Sequence, residues 1–191
     1  VEFGAAPVRI PMAEFLPDRS AFDPGATDYV KNVLPTPNGY GPLLTFSALS
    51  SALAAAPRGA ICCVDDAGGV HIYAGTATKL YEYNSATLGW TDRSGATTFT
   101  LATDDYWSFT QFGDHVIATN ITDGPYVLDM SAGGNFAALS GSPPVGRVAG
   151  VVGDQVFLGG TTASPRLLTW SGINDDTSWV AKQASSDYQQ F

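Results

Sequence analysis

The chain has 191 residues, a formal net charge of −9 and only 14% charged residues. That length suffices for one sizeable domain with a real core. Its nine basic residues are scattered, which excludes the clustered Lys and Arg that grip nucleic acid by displacing counterions. No apolar run reaches the roughly 18 residues of a membrane-crossing helix, and no basic segment followed by an apolar core opens the chain.

With 21 Gly, 12 Pro and 12% aromatic residues, turns are frequent and strands outweigh helices. Pro7-Val8-Arg9-Ile10 is a short strand candidate bounded by Pro11. Residues 17–42 are rich in Pro and Gly, from Leu16-Pro17-Asp18 to Gly39-Tyr40-Gly41-Pro42, with a weakly alternating strand candidate from Tyr29 to Leu34. Prolines every few residues remove amide donors, so this stretch forms neither a central strand nor a helix and reads as an ordered arm or a linker. LLTFSALSSALAAA, residues 43–56, is the best helix candidate. Phe46, Leu49 and Leu53 fall at helical spacing and Pro57 stops the run. A strand through Leu43 to Phe46 competes with it. These features set an N-terminal arm and short helix at 1–57 and a β domain at 58–191.

Residues 58–94 form a first unit: strand Ala60 to Val64, a Gly-rich turn at Asp65 to Gly69, then strands Val70 to Ala74 and Lys79 to Tyr83. In a second unit, residues 95–140, Trp107 to Phe112 alternates apolar and polar, Gly113-Asp114 turns, and His115 to Thr119 follows. The third spans 141–182. Aligning Gly75, Asn120 and Gly160 superposes Ile72, Ile117 and Phe157, and Tyr73, Ala118 and Leu158, at offsets of 45 and 40 residues. An aromatic closes each unit: Trp90, Phe136 and Trp179. Repeats of roughly 40–50 residues with several short strands predict an all-β fold of β-propeller-like blades, stacked so that aromatics fill the space between sheets. A β-sandwich is the alternative. Three units fall short of the four or more that close a propeller. Ser185 to Phe191 reads as the start of another strand, so the expectation is that blades continue or are completed by other segments.

The candidate chemistry is sparse. Cys62 and Cys63 are neighbours whose side chains point to opposite strand faces, which makes a mutual disulfide badly strained. Asp65-Asp66, Asp104-Asp105 and Asp175-Asp176 lie in turns, where Asp bonds local amides, and none fits a calcium loop. His71 and His115 fall one position out of register and read as exposed strand positions rather than metal ligands. No nucleophile elbow or phosphate loop appears. Asn120-Ile121-Thr122 matches a glycosylation sequon, and the Trp and Tyr residues suit a sugar platform or packing between blades. No catalytic, cofactor-binding or metal-ligating residue is assigned, no cofactor is expected, and the reading is non-enzymatic.

Two runs carry a family resemblance. The first is PDRSAFDPGATDYVKNVLPTPNGYGPLLTFSALSSAL, with Pro17-Asp18, Asn32, Pro35 and Gly39 to Pro42. The second is Leu168-Thr169-Trp170-Ser171-Gly172, Asn174-Asp175, Trp179 and Ser186-Asp187. They resemble tailed-bacteriophage tail proteins of the nozzle or tail-hub type. The resemblance implies a virion structural protein, assembled in the host cytoplasm, whose copies form a ring, a hexamer, around the DNA channel. Its partners would be a portal-proximal adaptor protein and tail fibre or needle proteins, with DNA passing through without sequence-specific binding. It also implies a chain that continues beyond this point. The alternatives are a secreted carbohydrate-binding or glycan-processing propeller and an intracellular propeller scaffold for peptides.

Overall fold

The structure, a computed structural model, describes residues 14–15, 26–27, 31–36, 39–43, 47–162 and 164–191. Among these the fold is all-β, with no helix. Two compact units divide between Ala48 and Leu49, ahead of the expected boundary at residue 57. In the first, β1 (Glu14–Phe15) pairs in parallel with β2 (Ala26–Thr27). β3 (Val33–Thr36) and β4 (Gly39–Pro42) make an antiparallel hairpin with Pro35 opposite Tyr40 and Pro42 opposite Val33. A two-stranded ribbon is all edge, so it tolerates the missing proline donors. Of the strand expected over Tyr29 to Leu34, Tyr29 and Val30 lie outside the described residues, Lys31 and Asn32 are not strand, and β3 takes up Val33 and Leu34. The candidate at Pro7 to Ile10 lies outside the described residues.

The helix expected over 43–56 does not form between Ser47 and Pro57, which are irregular. The backbone there bonds sideways: the Ser51 N–H donates to Leu88 O at 2.8 Å, and the Trp90 indole donates to Ser51 O at 3.1 Å. Helix propensity is a weak prior, and contacts to a neighbouring sheet override it.

The second unit is three four-stranded antiparallel meanders in tandem. Sheet I is β5 (Ala60–Val64), β6 (Val70–Gly75), β7 (Leu80–Asn84) and β8 (Gly89–Asp92). Sheet II is β9 (Ser108–Phe112), β10 (His115–Thr119), β11 (Tyr126–Asp129) and β12 (Ala137–Ala138). Sheet III is β13 (Gly146–Val152), β14 (Gln155–Thr161), β15 (Leu167–Trp170) and β16 (Asp187–Gln190). The strand expected at Ser185 to Phe191 forms as β16, which pairs with β15 as the fourth strand of sheet III, Asp187 opposite Trp170. The three sheets meet through their first strands, β5 against β9 and β9 against β13.

Side-chain direction corrects the repeat alignment. Tyr73 faces sheet II, within a core that includes Val116, Ala118 and Leu128. Ile117 faces sheet III, packed with Ala149, Val156 and Leu158. Tyr73 thus corresponds to Ile117, an offset of 44 residues, and not to Ala118, which points back at sheet I. A one-residue slip on a strand exchanges its two faces. The offset of 40 between the second and third units stands, which sets Phe157 at the position of Ile117. With the corrected offset His71 and His115 share one register position.

Trp107, just ahead of β9, is the wedge between sheets I and II. Its ring meets Phe99 edge-on at 4.8 Å, and its indole N–H donates to Thr76 O at 2.8 Å. Gly75 makes room for it, since a Cβ there would lie 2.2 Å from Trp107 Cδ1. Of the three closing aromatics, Phe136 and Trp179 are buried between sheets. Trp90, on β8, shares with Tyr83 the face turned away from sheet II.

Candidate functional site

Among the described residues, a dense group of ionisable side chains spans the breadth of sheet I on the face turned toward sheet II. Asp65 comes from the β5–β6 turn, His71 from β6, Glu82 from β7 and Arg93 from the residue after β8. His71 Nδ1 lies 2.8 Å from Glu82 Oε1, and its Nε2 lies 3.1 Å from Asp65 Oδ2. Arg93 donates to Glu82 Oε2 through Nε at 2.7 Å, with a second guanidinium nitrogen at 2.6 Å. Beneath them the buried Tyr73 stacks on His71 and donates to Glu82 Oε1 at 3.4 Å. Alternation builds this group: residues two apart share a face, and the β6–β7 register sets Glu82 opposite Tyr73. A shallow polar cavity of about 240 Å³ lies over it, lined by His71, Glu82, Asn84, Ser85, Thr91 and Arg93 among others.

Both His71 ring nitrogens face carboxylate oxygens, an arrangement that favours the doubly protonated imidazolium. The bond to Glu82 is the main cause that raises His71 above its ordinary range; partial burial opposes it and Asp65 adds to it. Asp65 is held below the usual carboxylate range by His71 first and by the Gly69 N–H second. Burial raises Glu82, but the bonds from His71 and Arg93 together outweigh it and leave the group low. Burial, then the Glu82 charge, pushes the Tyr73 phenol well up. Cys63, opposite His71 in the ladder, is pushed up to about 11, by burial first and by Cys62 second. It stays a neutral thiol, which is a poor nucleophile. With His71 doubly donated, Arg93 paired and the thiol protonated, the group works as a charge clamp across four segments. It offers no free base.

His115 makes a different use of the same register position. Its Nδ1 lies 2.6 Å from Asp176 Oδ2, across the junction of sheets II and III. Asp176 is buried, in the β15–β16 loop. Both histidines were expected as exposed strand positions. Both are half-buried and carboxylate-bound, because each faces the next sheet.

The acid pairs act in turns and bridges. Asp65 Oδ1 accepts the Gly69 N–H at 2.6 Å, Asp175 Oδ1 accepts the Thr177 N–H at 2.9 Å, and Asp105 meets Arg147 at 3.4 Å. Among the described residues no three His, Cys, Asp or Glu side chains converge as a metal cage. Cys62 is exposed and Cys63 buried, both free, on opposite faces of β5. The sequon is sterically closed: Asn120 is fully buried, and its Oδ1 accepts the Thr122 and Asp123 N–H groups at 2.8 and 2.7 Å. Glu82 and Arg93 were missed from sequence. The available signal was the alternation Leu80-Tyr81-Glu82, which sets a carboxylate on the same face as a fully buried leucine.

No protein-family model matches the chain, and no curated protein matches it in sequence. Among the described residues no helix is long and apolar enough to cross a membrane.

Proposed function

We propose that the chain is a structural component of a bacteriophage tail, a nozzle or hub subunit whose copies ring the DNA channel between the head-proximal adaptor and the distal tail parts. The observation that carries this reading is where the second resembling run falls. Its residues build one structural element, the closure of sheet III. Ser171 Oγ accepts the Val156 N–H at 2.9 Å, the Trp179 indole donates to Asp176 O at 2.6 Å, Ser186 Oγ donates to Val180 O, and Asp187 pairs with Trp170. A run that shapes the loop joining two strands of one sheet is a scaffold signature. The two histidines point the same way, since both are consumed as clamps.

The tandem meanders, joined through their first strands, support a propeller-like arrangement of blades around an axis. The formal charge of −9 suits a wall that DNA slides past without adhering. Peptide mass spectrometry of density-purified particles tests the reading. Peptides at tail-protein stoichiometry are expected. Absence from particles, with the chain free in soluble fractions, overturns it and makes the glycan-binding propeller the working reading.

A further inference from the structure

The polar cavity over sheet I carries more hydrogen-bonding groups than the clamp beneath it uses. Glu82 commits its carboxylate to His71, Tyr73 and Arg93, and Arg93 commits two of its three guanidinium nitrogens to Glu82. Four groups on residues that line the cavity remain. Among the described residues, the third guanidinium nitrogen of Arg93, the Asn84 amide nitrogen and the hydroxyls of Ser85 and Thr91 have no hydrogen-bond partner. The β-ladder gathers them. Asn84 and Glu82 share one face of β7, Thr91 stands opposite Glu82 on β8, and Arg93 follows two residues later. Sheet II, whose last strand β12 is two residues long, contributes nothing to the lining among the described residues.

The chemistry of these groups selects a ligand. Two are pure donors and two both give and accept. The Asn84 amide is already oriented, because its Oδ1 accepts the Ala86 and Thr87 N–H groups at 3.0 and 3.2 Å and leaves the nitrogen end for a ligand. Arg93 is likewise held by Glu82, so little side-chain freedom is lost on binding. The formal charges of the clamp cancel, with His71 and Arg93 set against Asp65 and Glu82, which gives neither an anion nor a cation a net attraction. At about 240 Å³ the cavity is smaller than the pockets of roughly 300–1,000 Å³ that hold drug-sized molecules.

We propose that this cavity binds a single neutral sugar ring. Neighbouring hydroxyls of a pyranose accept from the guanidinium and the amide, exchange hydrogen bonds with Ser85 and Thr91, and need no ionic partner. The clamp is the floor of the site and takes no part in any reaction. This is not the Trp and Tyr platform considered from the sequence: Tyr83 and Trp90 pack edge-on against each other on the opposite face of sheet I. The proposal rests on the cavity and not on the tail reading, so particle mass spectrometry and a sugar titration fail separately.

The test is an NMR titration of the 191-residue chain with the methyl pyranosides of glucose, galactose, mannose, rhamnose and N-acetylglucosamine, and with sodium glucuronate as the charged control. At least one neutral glycoside is expected to give saturable shifts at the Asn84 side-chain amide, the Arg93 Nε–H and the Thr91 backbone amide. Thr91→Val removes one hydroxyl at constant shape, and Asn84→Asp keeps the oxygen that holds the turn and removes the donor. Each is expected to weaken that sugar about fivefold, the loss of one hydrogen bond, with circular dichroism unchanged. No saturable shift with any neutral glycoside, shifts confined to Tyr83 and Trp90, or binding of glucuronate alone overturns the proposal. So does wild-type affinity in both variants.

Discussion

The two inter-sheet junctions share one topology and hold by different means. Between sheets I and II the space is filled by large rings: Tyr73, Phe99, Trp107 and Phe136 are all buried there. Between sheets II and III the residues are mostly aliphatic, and hydroxyls reach across to backbone. Ser108 Oγ accepts the Ala149 N–H at 3.0 Å, and Thr119 Oγ1 donates to Gly146 O at 2.7 Å. Small side chains let the backbones of β9 and β13 come within reach of a serine, whereas the rings of the first junction hold sheets I and II apart. Aromatic volume therefore dominates the first junction, with amide bonds from Gln111 at its margin, and hydroxyl-to-backbone bonds mark the second.

Substitutions can break that contrast. The largest effect is expected for Trp107→Ala. It empties the wedge and abandons Thr76 O, so it should cost about 3–5 kcal/mol, read from the denaturant midpoint. Gly75→Ala attacks the same ring from beneath by overpacking and should cost on the order of 1–3 kcal/mol. Gly150→Ala, with nothing within 4 Å of the new Cβ, is the control and should change little. A similar loss from both glycine variants would show that the wedge contributes nothing special.

Glu82→Gln removes the centre of the clamp and should cost on the order of 1–3 kcal/mol at neutral pH. Its pH profile separates the clamp from simple packing. His71 is raised, so its contribution is complete below its unfolded value of about 6.5 and is lost as pH climbs through the higher folded value. Glu82 and Asp65 are lowered, so theirs is complete above about 4 and is lost as pH falls through the folded values. The wild type should thus gain most from the clamp between about pH 4 and 6.5, and thermal melts of the Gln variant should lack that hump. Equal profiles for the two proteins would rule the clamp out as a source of stability. Ser108→Ala should show the smallest effect, about 1 kcal/mol, confined to the junction of sheets II and III. Amide exchange at Ala149 is the sensitive readout.

The strands of this molecule were legible because alternation and turn chemistry agree. Gly113-Asp114, with Gly113 at φ 56°, takes the tight turn expected between the two strands it joins. Facing was not legible to one residue, because apolar residues occupy both sides of β6 and β10, although only sheet II packs against a sheet on each face. That is why Tyr73 was matched to Ala118 and why the histidines seemed unrelated. The helix expected over 43–56 does not form from Ser47 onward for a different reason: its alanines favour helix locally, but Ser51 and Trp90 bond to each other across a sheet edge. The clamp was half legible. Asp65 and His71 stood out as residue types, but Glu82, the second carboxylate on His71, is brought in only by the register of β6 with β7.

Gln111 carries a consequence for the behaviour of the molecule in concentrated solution. β5 is the terminal strand of sheet I. An unpaired strand edge is a template on which foreign strands add and aggregates grow. The Gln111 amide occupies that edge at Val64, accepting its N–H at 3.3 Å and donating to its carbonyl at 2.6 Å. One side chain from the next sheet thus imitates a neighbouring strand for a single residue, and it guards the end of β5 against templated growth.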